Sequence, residues 1–109
     1  MPHEIMNMKY QLVLQLPASS IRDFDSLVLI EEKMDDVMGK KHIVDGHDFG
    51  SGEMSIFIHT DDPDAAFELA KTNLDDLIIA ELKVAYRKLD GEEYKVIWPE
   101  NFQGEFNII

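Results

Sequence analysis

Hydrophobic and polar positions alternate along this chain with two periods, and the first segment to show a clear period is Lys9–Leu16. Every second residue is apolar, which is typical of a strand with one buried face. Pro17 follows and predicts the end of the strand. The predicted core face comprises Tyr10, Leu12, Leu14 and Leu16, and the opposite face comprises Gln11, Val13 and Gln15.

The next segment has the period of an amphipathic helix. Its apolar residues recur every three or four positions, at Leu27, Ile30, Met34 and Val37. Ser20 and Asp23 are competing caps for its start, and Gly39 is the expected C-cap after a helix that ends at about Met38. The opposite side of this helix is acidic and comprises Asp25, Glu31, Glu32, Asp35 and Asp36.

A β-hairpin is predicted in the middle of the chain. The runs Ile43–Phe49 and Glu53–Thr60 flank Gly50-Ser51-Gly52, and a glycine-rich three-residue connection between strands indicates a hairpin. With Phe49 opposite Glu53, this register places His47 opposite Ser55, Asp45 opposite Phe57 and Ile43 opposite His59. The apolar set Val44, Gly46, Met54, Ile56 and Ile58 then faces the core. A two-residue turn would shift the pairing by one and mix the two sets.

The second half of the chain predicts a helix followed by two strands. Asp62 before Pro63 indicates a helix start, and the helix should extend to about Leu74. The segment Leu82–Leu89 fits both a helical and a strand spacing, and we favour the strand because Asp90-Gly91 predicts a turn. Beyond that turn, Tyr94, Val96 and Trp98 alternate as a further strand.

These elements predict an α+β fold, a ferredoxin-like βαββαβ unit with an extra C-terminal edge strand. Right-handed crossovers would place both helices on one face of a mixed sheet and leave the other face open. We expect a single domain over residues 9–99, an unassigned lead-in over residues 1–8 and an apolar tail over residues 100–109. The tail should dock rather than stay in solvent, because it contains Phe102, Phe106, Ile108 and Ile109.

Two phrases of the sequence resemble a known group of proteins. Asp45–Pro63, DGHDFGSGEMSIFIHTDDP, and Ala85–Pro99, AYRKLDGEEYKVIWP, are similar to segments of small uncharacterised bacterial proteins of about this length. The resemblance covers most of Lys9–Pro99 and supports the strand interpretation of Leu82–Leu89. It implies no activity and no site residue.

Composition limits the possible partners and compartments. Ten Lys+Arg against 22 Asp+Glu give a net charge of −12, which repels nucleic acid and anionic membranes and attracts cations or basic proteins. The chain contains no cysteine, and its longest apolar runs are far shorter than a membrane span. The N-terminal residues do not resemble a secretory signal, so we expect a soluble, cytoplasmic protein that binds neither nucleic acid nor membrane.

The hairpin carries most of the candidate chemistry. Asp45, His47 and Ser55 share a face in the predicted register and resemble a general base beside a hydroxyl, but no nucleophile elbow accompanies them. A metal would be held by His47 with Asp45 or Glu53, because His59 lies too far along the strand at ~3.3 Å per residue. We expect these polar side chains to be neighbours by chance and not to form a catalytic or metal site, and we predict no cofactor. His42 is expected to be solvated at the start of its strand.

Three functional hypotheses follow from the sequence. The favoured one is a non-enzymatic interaction protein that forms a homodimer through its open sheet face, because Phe49 and Phe57 would expose an apolar patch there. The second is an acidic inhibitor or immunity-type protein that binds a basic partner. The third is a small hydrolase-like or metal-binding protein centred on Asp45, His47 and Ser55. The predicted binding face comprises Gln11, Val13, Gln15, Asp45, His47, Phe49, Glu53, Ser55, Phe57 and His59.

Overall fold

The computed structural model of this protein describes residues 8–17, 24–50, 52–102 and 106. The lead-in 1–7, the capping candidates Ser20 and Asp23, Ser51, and the tail residues Ile108 and Ile109 lie outside the described residues. The described elements, in chain order, are β1 Tyr10–Pro17, α1 Phe24–Met38, β2 His42–Gly50, β3 Glu53–Thr60, α2 Pro63–Thr72, α3 Asp76–Glu81, β4 Lys83–Lys88 and β5 Lys95–Trp98.

The five strands form one sheet in the order β2-β3-β1-β4-β5, and every neighbouring pair is antiparallel. The α+β class is therefore confirmed, and the prediction of a mixed sheet is wrong. The parallel strands β1 and β2 are not neighbours, because β3 lies between them. The βαββαβ order is not matched exactly, since α3 precedes β4 and β5 adds a fifth strand.

The hydrophobic core lies between the sheet and the helices. In β1 the predicted alternation is confirmed, because Leu12, Leu14 and Leu16 are buried in this core. Burial of each such side chain contributes about 1.5–3 kcal/mol. All three helices contact the same core, α3 through the partly buried Ile78, so they lie on one face of the sheet. The other core residues are Leu27, Met34, Met38, Met54, Ile56, Ile58, Ala66, Phe67, Ala70, Leu82 and Val84.

Local capping explains where the helices begin and end. The Asp62 carboxylate accepts a hydrogen bond from the Ala65 N–H at 3.1 Å, which confirms the predicted start of α2. α2 ends at Thr72 with Asn73 as its C-cap, close to the predicted end at about Leu74. Asp75 then starts α3, a separate helix that was not predicted, by accepting from the Leu77 N–H. No helix in the described part of the chain is both long and apolar enough to span a membrane.

Candidate functional site

A β-bulge in β2 breaks the predicted pairing of the hairpin. Ile43 lies opposite His59 as predicted, but the register shifts between Val44 and Gly46. Beyond the shift Gly46 pairs with Phe57, where Asp45 was predicted. Gly46 has a φ of 147°, a conformation that residues with a Cβ rarely adopt. Asp45 is therefore the extra residue of β2, and the side chains after it exchange faces.

The turn of the hairpin is consistent with this shifted register. Gly50 pairs with Glu53, so two residues rather than three connect the strands. A two-residue turn shifts the pairing by one and mixes the two predicted sets of side chains. Phe49 consequently pairs with Met54 on the helix side of the sheet, although its side chain is 53% exposed. The prediction that Phe49 shares a face with Ser55 is wrong, and Asp48 occupies that position instead.

The predicted trio of Asp45, His47 and Ser55 is separated by the bulge. His47 pairs with Ile56 on the helix side, and its Nδ1 lies 3.0 Å from both carboxylate oxygens of Glu31 in α1. Ser55 faces the opposite side and is buried. The prediction that these three side chains form one group is wrong, so the structure does not support a catalytic site made of them.

The predicted metal ligands are also separated. Asp45 lies 3.5 Å from His59 Nε2, whereas the Glu53 carboxylate lies 3.8 Å from the ammonium of Lys83 in β4. Across the described residues, no cluster of three or more His, Asp or Glu side chains is arranged to hold a metal ion.

The face of the sheet opposite the helices, called the outer face below, is not open. Val13 and Ala85 at its centre are fully buried. Two described residues of the tail lie on this face, and the Lys83 ammonium is 6.0 Å from the ring centroid of the first, Phe102. Phe106 packs against Tyr94 with ring centroids 5.3 Å apart. The predicted docking of the tail is confirmed at these two residues, and the prediction of an open face is wrong. The outer face comprises Gln11, Val13, Gln15, Glu53, Ser55, Phe57, His59, Lys83, Ala85 and Arg87.

Most polar side chains on the outer face contact one another. Gln15 donates to the Ser55 hydroxyl at 3.4 Å, and the Arg87 guanidinium donates to the Gln11 side-chain oxygen at 3.1 Å. Arg87 also donates to the backbone carbonyls of Lys88, Leu89 and Gly91 and thereby fixes the connection between β4 and β5. Among the described residues, two buried atoms, Glu53 Oε2 and His59 Nδ1, have no hydrogen-bond partner.

A negatively charged region, called the acidic surface below, extends from α1 to the edge strand β2. Glu32, Asp35 and Asp36 are exposed on α1, and Asp45 is exposed at the bulge. A cleft of about 280 Å³ separates the two elements and is lined by Glu31, Glu32, Asp35, Val44, Asp45 and Gly46. Leu29 on the same helix is 65% exposed.

A concave site of about 720 Å³, called the His42 cavity below, lies where β2 begins. His42 is only 5% exposed, so the prediction of a solvated side chain is wrong. Its Nδ1 lies 2.6 Å from the hydroxyl oxygen of Thr60, its partner in the β2–β3 register. The same hydroxyl oxygen accepts the Asp62 N–H at 2.9 Å. The cavity is lined by Met8, Lys40, Lys41, His42, Asp61, Asp62, Ala65 and Leu69.

Electrostatics favour the neutral form of His42. Burial lowers the pKa of His42 below its ordinary value of 6.5, the Asp62 carboxylate partly opposes this effect, and the Lys41 ammonium adds to it. The ring is therefore uncharged at neutral pH. A sequence signal for this cavity exists, because the hairpin register brings Lys40-Lys41 at one strand end near Asp61-Asp62 at the other. This signal does not indicate a cavity, because the lining also includes Ala65 and Leu69 of α2.

No protein-family model, curated protein or solved structure matches this chain. The candidate functional regions are therefore chosen by geometry alone, and they are the acidic surface and the His42 cavity.

Proposed function

We propose that the protein is a non-enzymatic interaction protein that binds a basic protein partner through the acidic surface. The observation that carries this proposal is an exposed apolar side chain beside exposed carboxylates on the solvent side of α1. Leu29 is 65% exposed, and Glu32 and Asp36 follow it at helical positions i+3 and i+7, on the same side. An apolar anchor within a charged rim is typical of a protein-binding patch.

The position of the acidic residues within α1 supports a role outside folding. Asp35 and Asp36 lie in the last turn of the helix, which contains no basic residue. The helix C-terminus carries partial negative charge, so each acid there costs about 0.3–1 kcal/mol at an exposed site. Residues that reduce stability at an exposed position are consistent with selection for binding.

The charge of the whole chain supports a basic partner rather than an anionic one. A net charge of −12 raises the rate of encounter with a positively charged surface and disfavours acidic competitors. This interaction weakens with salt, because exposed charges are screened beyond about 10 Å at 0.1 M.

Affinity capture with charge-reversal variants tests this proposal. The test variant carries Glu32→Lys, Asp35→Lys and Asp36→Lys, and the matched control carries Glu81→Lys, Glu92→Lys and Glu93→Lys, three exposed acids elsewhere. The immobilised wild type should retain a basic protein from its source cell at low salt. The purified partner should then bind the test variant at least tenfold more weakly and the control variant within about threefold of the wild type. Failure to retain any basic protein, or equal binding by both variants, would refute the proposal.

A second candidate is a homodimer formed through the outer face, the hypothesis that the sequence favoured. The buried atoms His59 Nδ1 and Glu53 Oε2, which no described residue hydrogen bonds, favour it, because a second copy can supply these hydrogen bonds. The contacts of Phe102 and Phe106 argue against this dimer, because these two side chains would have to leave the outer face before a second copy could bind there. Light scattering distinguishes the two: a mass near twice 12.5 kDa that Phe57→Asp halves supports the dimer, and a constant monomer excludes it.

We also propose that the fold is ferredoxin-like with an added edge strand. The order β4-β1-β3-β2 within the sheet and the placement of all helices on one face support this assignment. Membership of the small bacterial group with the Asp45–Pro63 and Ala85–Pro99 phrases is part of the same proposal.

A further inference from the structure

We propose that the His42 cavity binds a small zwitterion, a free amino acid or short peptide in which an ammonium group and a carboxylate accompany an apolar side chain. The cavity shares no lining residue with the cleft between α1 and β2. This ligand site is therefore additional to the proposed protein-binding function and is tested separately from it.

The hydrogen-bond network fixes which atom His42 presents to a ligand. Thr60 is fully buried, and its hydroxyl oxygen already accepts the Asp62 N–H. A buried hydroxyl hydrogen needs an acceptor, and the described structure provides His42 Nδ1 at 2.6 Å. Nδ1 therefore accepts the hydrogen bond, and the neutral ring carries its own hydrogen on Nε2. His42 thus lines the cavity as an uncharged donor suited to a carboxylate or carbonyl oxygen.

The charges around this donor are balanced. The lining includes two basic residues, Lys40 and Lys41, and two acidic residues, Asp61 and Asp62. Lys41 and Asp62 are both close enough to His42 to act on its titration, with opposite signs. A ligand with only one sign of charge meets repulsion from one of these pairs, whereas a zwitterion pairs with both.

The two carboxylates are held in place by the backbone. Asp61 accepts the Lys9 N–H and Asp62 accepts the Ala65 N–H, each through Oδ1 at 3.1 Å. Each carboxylate keeps a second oxygen, Oδ2, to accept from a ligand ammonium. The acidic side of the site is therefore preorganised, which lowers the entropic cost of binding.

The remaining wall of the cavity is apolar. Met8, Ala65 and Leu69 contribute carbon surface beside the charged groups. The volume of about 720 Å³ lies within the ~300–1,000 Å³ range typical of small-molecule sites. An aliphatic side chain of the ligand can therefore be buried against this wall while its charged groups face Lys41 and Asp62.

Calorimetric titration of the full chain with four related compounds tests the proposal. L-leucine and leucyl-leucine carry both charges, N-acetyl-leucine lacks the ammonium group and leucinamide lacks the carboxylate. At least one zwitterion should bind, and each singly charged analogue should bind at least tenfold more weakly. Tighter binding of leucine or of the dipeptide identifies the free amino acid or the peptide as the source. Absence of binding by both zwitterions at millimolar concentration, or equal binding of all four compounds, would overturn the proposal.

Matched variants locate the binding. Lys41→Gln and Asp62→Asn each remove one charge, and Asn keeps an oxygen that can cap α2. The controls are Lys33→Gln on exposed α1 surface and Asp75→Asn at the equivalent cap of α3. We expect at least a fivefold loss of zwitterion affinity in the first two variants and less than a twofold change in the controls. Equal effects in both pairs would assign any binding to another part of the surface.

Discussion

The two histidines of β2 have the same side-chain chemistry and opposite environments. His42 at the start of the strand is 5% exposed and hydrogen bonds to a buried hydroxyl. His47 near the hairpin is exposed, and its Nδ1 pairs with the Glu31 carboxylate. Residues five positions apart on a regular strand point to opposite faces. Here both point to the helix side, because the bulge at Asp45 adds one residue between them.

This difference shows that the register decides the face of a side chain, whereas the neighbouring elements decide its depth. At the start of β2, the partner Thr60 is fully buried. β2 is an edge strand along its whole length, and at its hairpin end Phe49 remains half exposed. The start of β2 is therefore part of the folded core, and the hairpin end is part of the protein surface.

The largest expected effect is the loss of stability in His42→Ala. Removal of the imidazole leaves the buried Thr60 hydroxyl without its acceptor and creates a small cavity. We expect the free energy of unfolding to fall by about 2–4 kcal/mol. Urea denaturation measures this change, and His42→Gln, which keeps an acceptor, should recover part of it. A fall of less than ~0.5 kcal/mol would contradict a structural role for this hydrogen bond.

The sequence predicts the central strands well, because the alternation of apolar and polar residues along them indicates which side chains are buried. In β1 the buried Leu12 and Leu14 alternate with outer-face residues, and the strand pairs on both sides. The start of α2 was equally predictable, because Asp62-Pro63 is a local capping signal. Ile43 opposite His59 was also correct, since it lies before the bulge.

The sequence does not predict features that depend on distant contacts. A glycine within a strand, such as Gly46, suggests a bulge, but it does not say where the register shifts. The pairing of His47 with Glu31 follows from that shift, so it could not be inferred either. His42 is buried although it begins a strand, and Val13 on the outer face is buried where the sequence suggested an open surface.

The second prediction tests the bulge itself. Gly46→Ala places a Cβ on a residue with a φ of 147°, and no described atom beyond the adjacent residues lies within 4 Å of that Cβ, so we expect the cost to be backbone strain. We expect about 1–3 kcal/mol of destabilisation. Gly50→Ala is the matched control, because its Cβ also meets nothing and its backbone is not in the left-handed region. If chemical denaturation shows equal, small effects for both variants, the bulge does not depend on Gly46.

The third prediction concerns pH. The pKa of His42 is lowered in the folded protein, chiefly by burial, so the unfolded chain binds more protons as pH falls below the ordinary value of 6.5. The stabilisation from neutral His42 is therefore complete above about pH 6.5 and is lost as pH falls through the lower folded-state pKa. Denaturation curves at pH 8 and pH 5 should show a smaller advantage of wild type over His42→Gln at the lower pH. Parallel pH profiles of the two proteins would refute a depressed pKa.

The smallest effect is expected at the exposed end of β2. His47→Ala removes a partly exposed contact with Glu31, and exposed ion pairs contribute only about 0–1 kcal/mol. We therefore expect the free energy of unfolding to change by less than ~0.5 kcal/mol, measured by urea denaturation beside His42→Ala. Glu31→Gln serves as the control, because it removes the charge from the other partner. If either variant destabilises the protein as much as His42→Ala, the contact fixes the hairpin to α1, and the two ends of β2 do not differ as described.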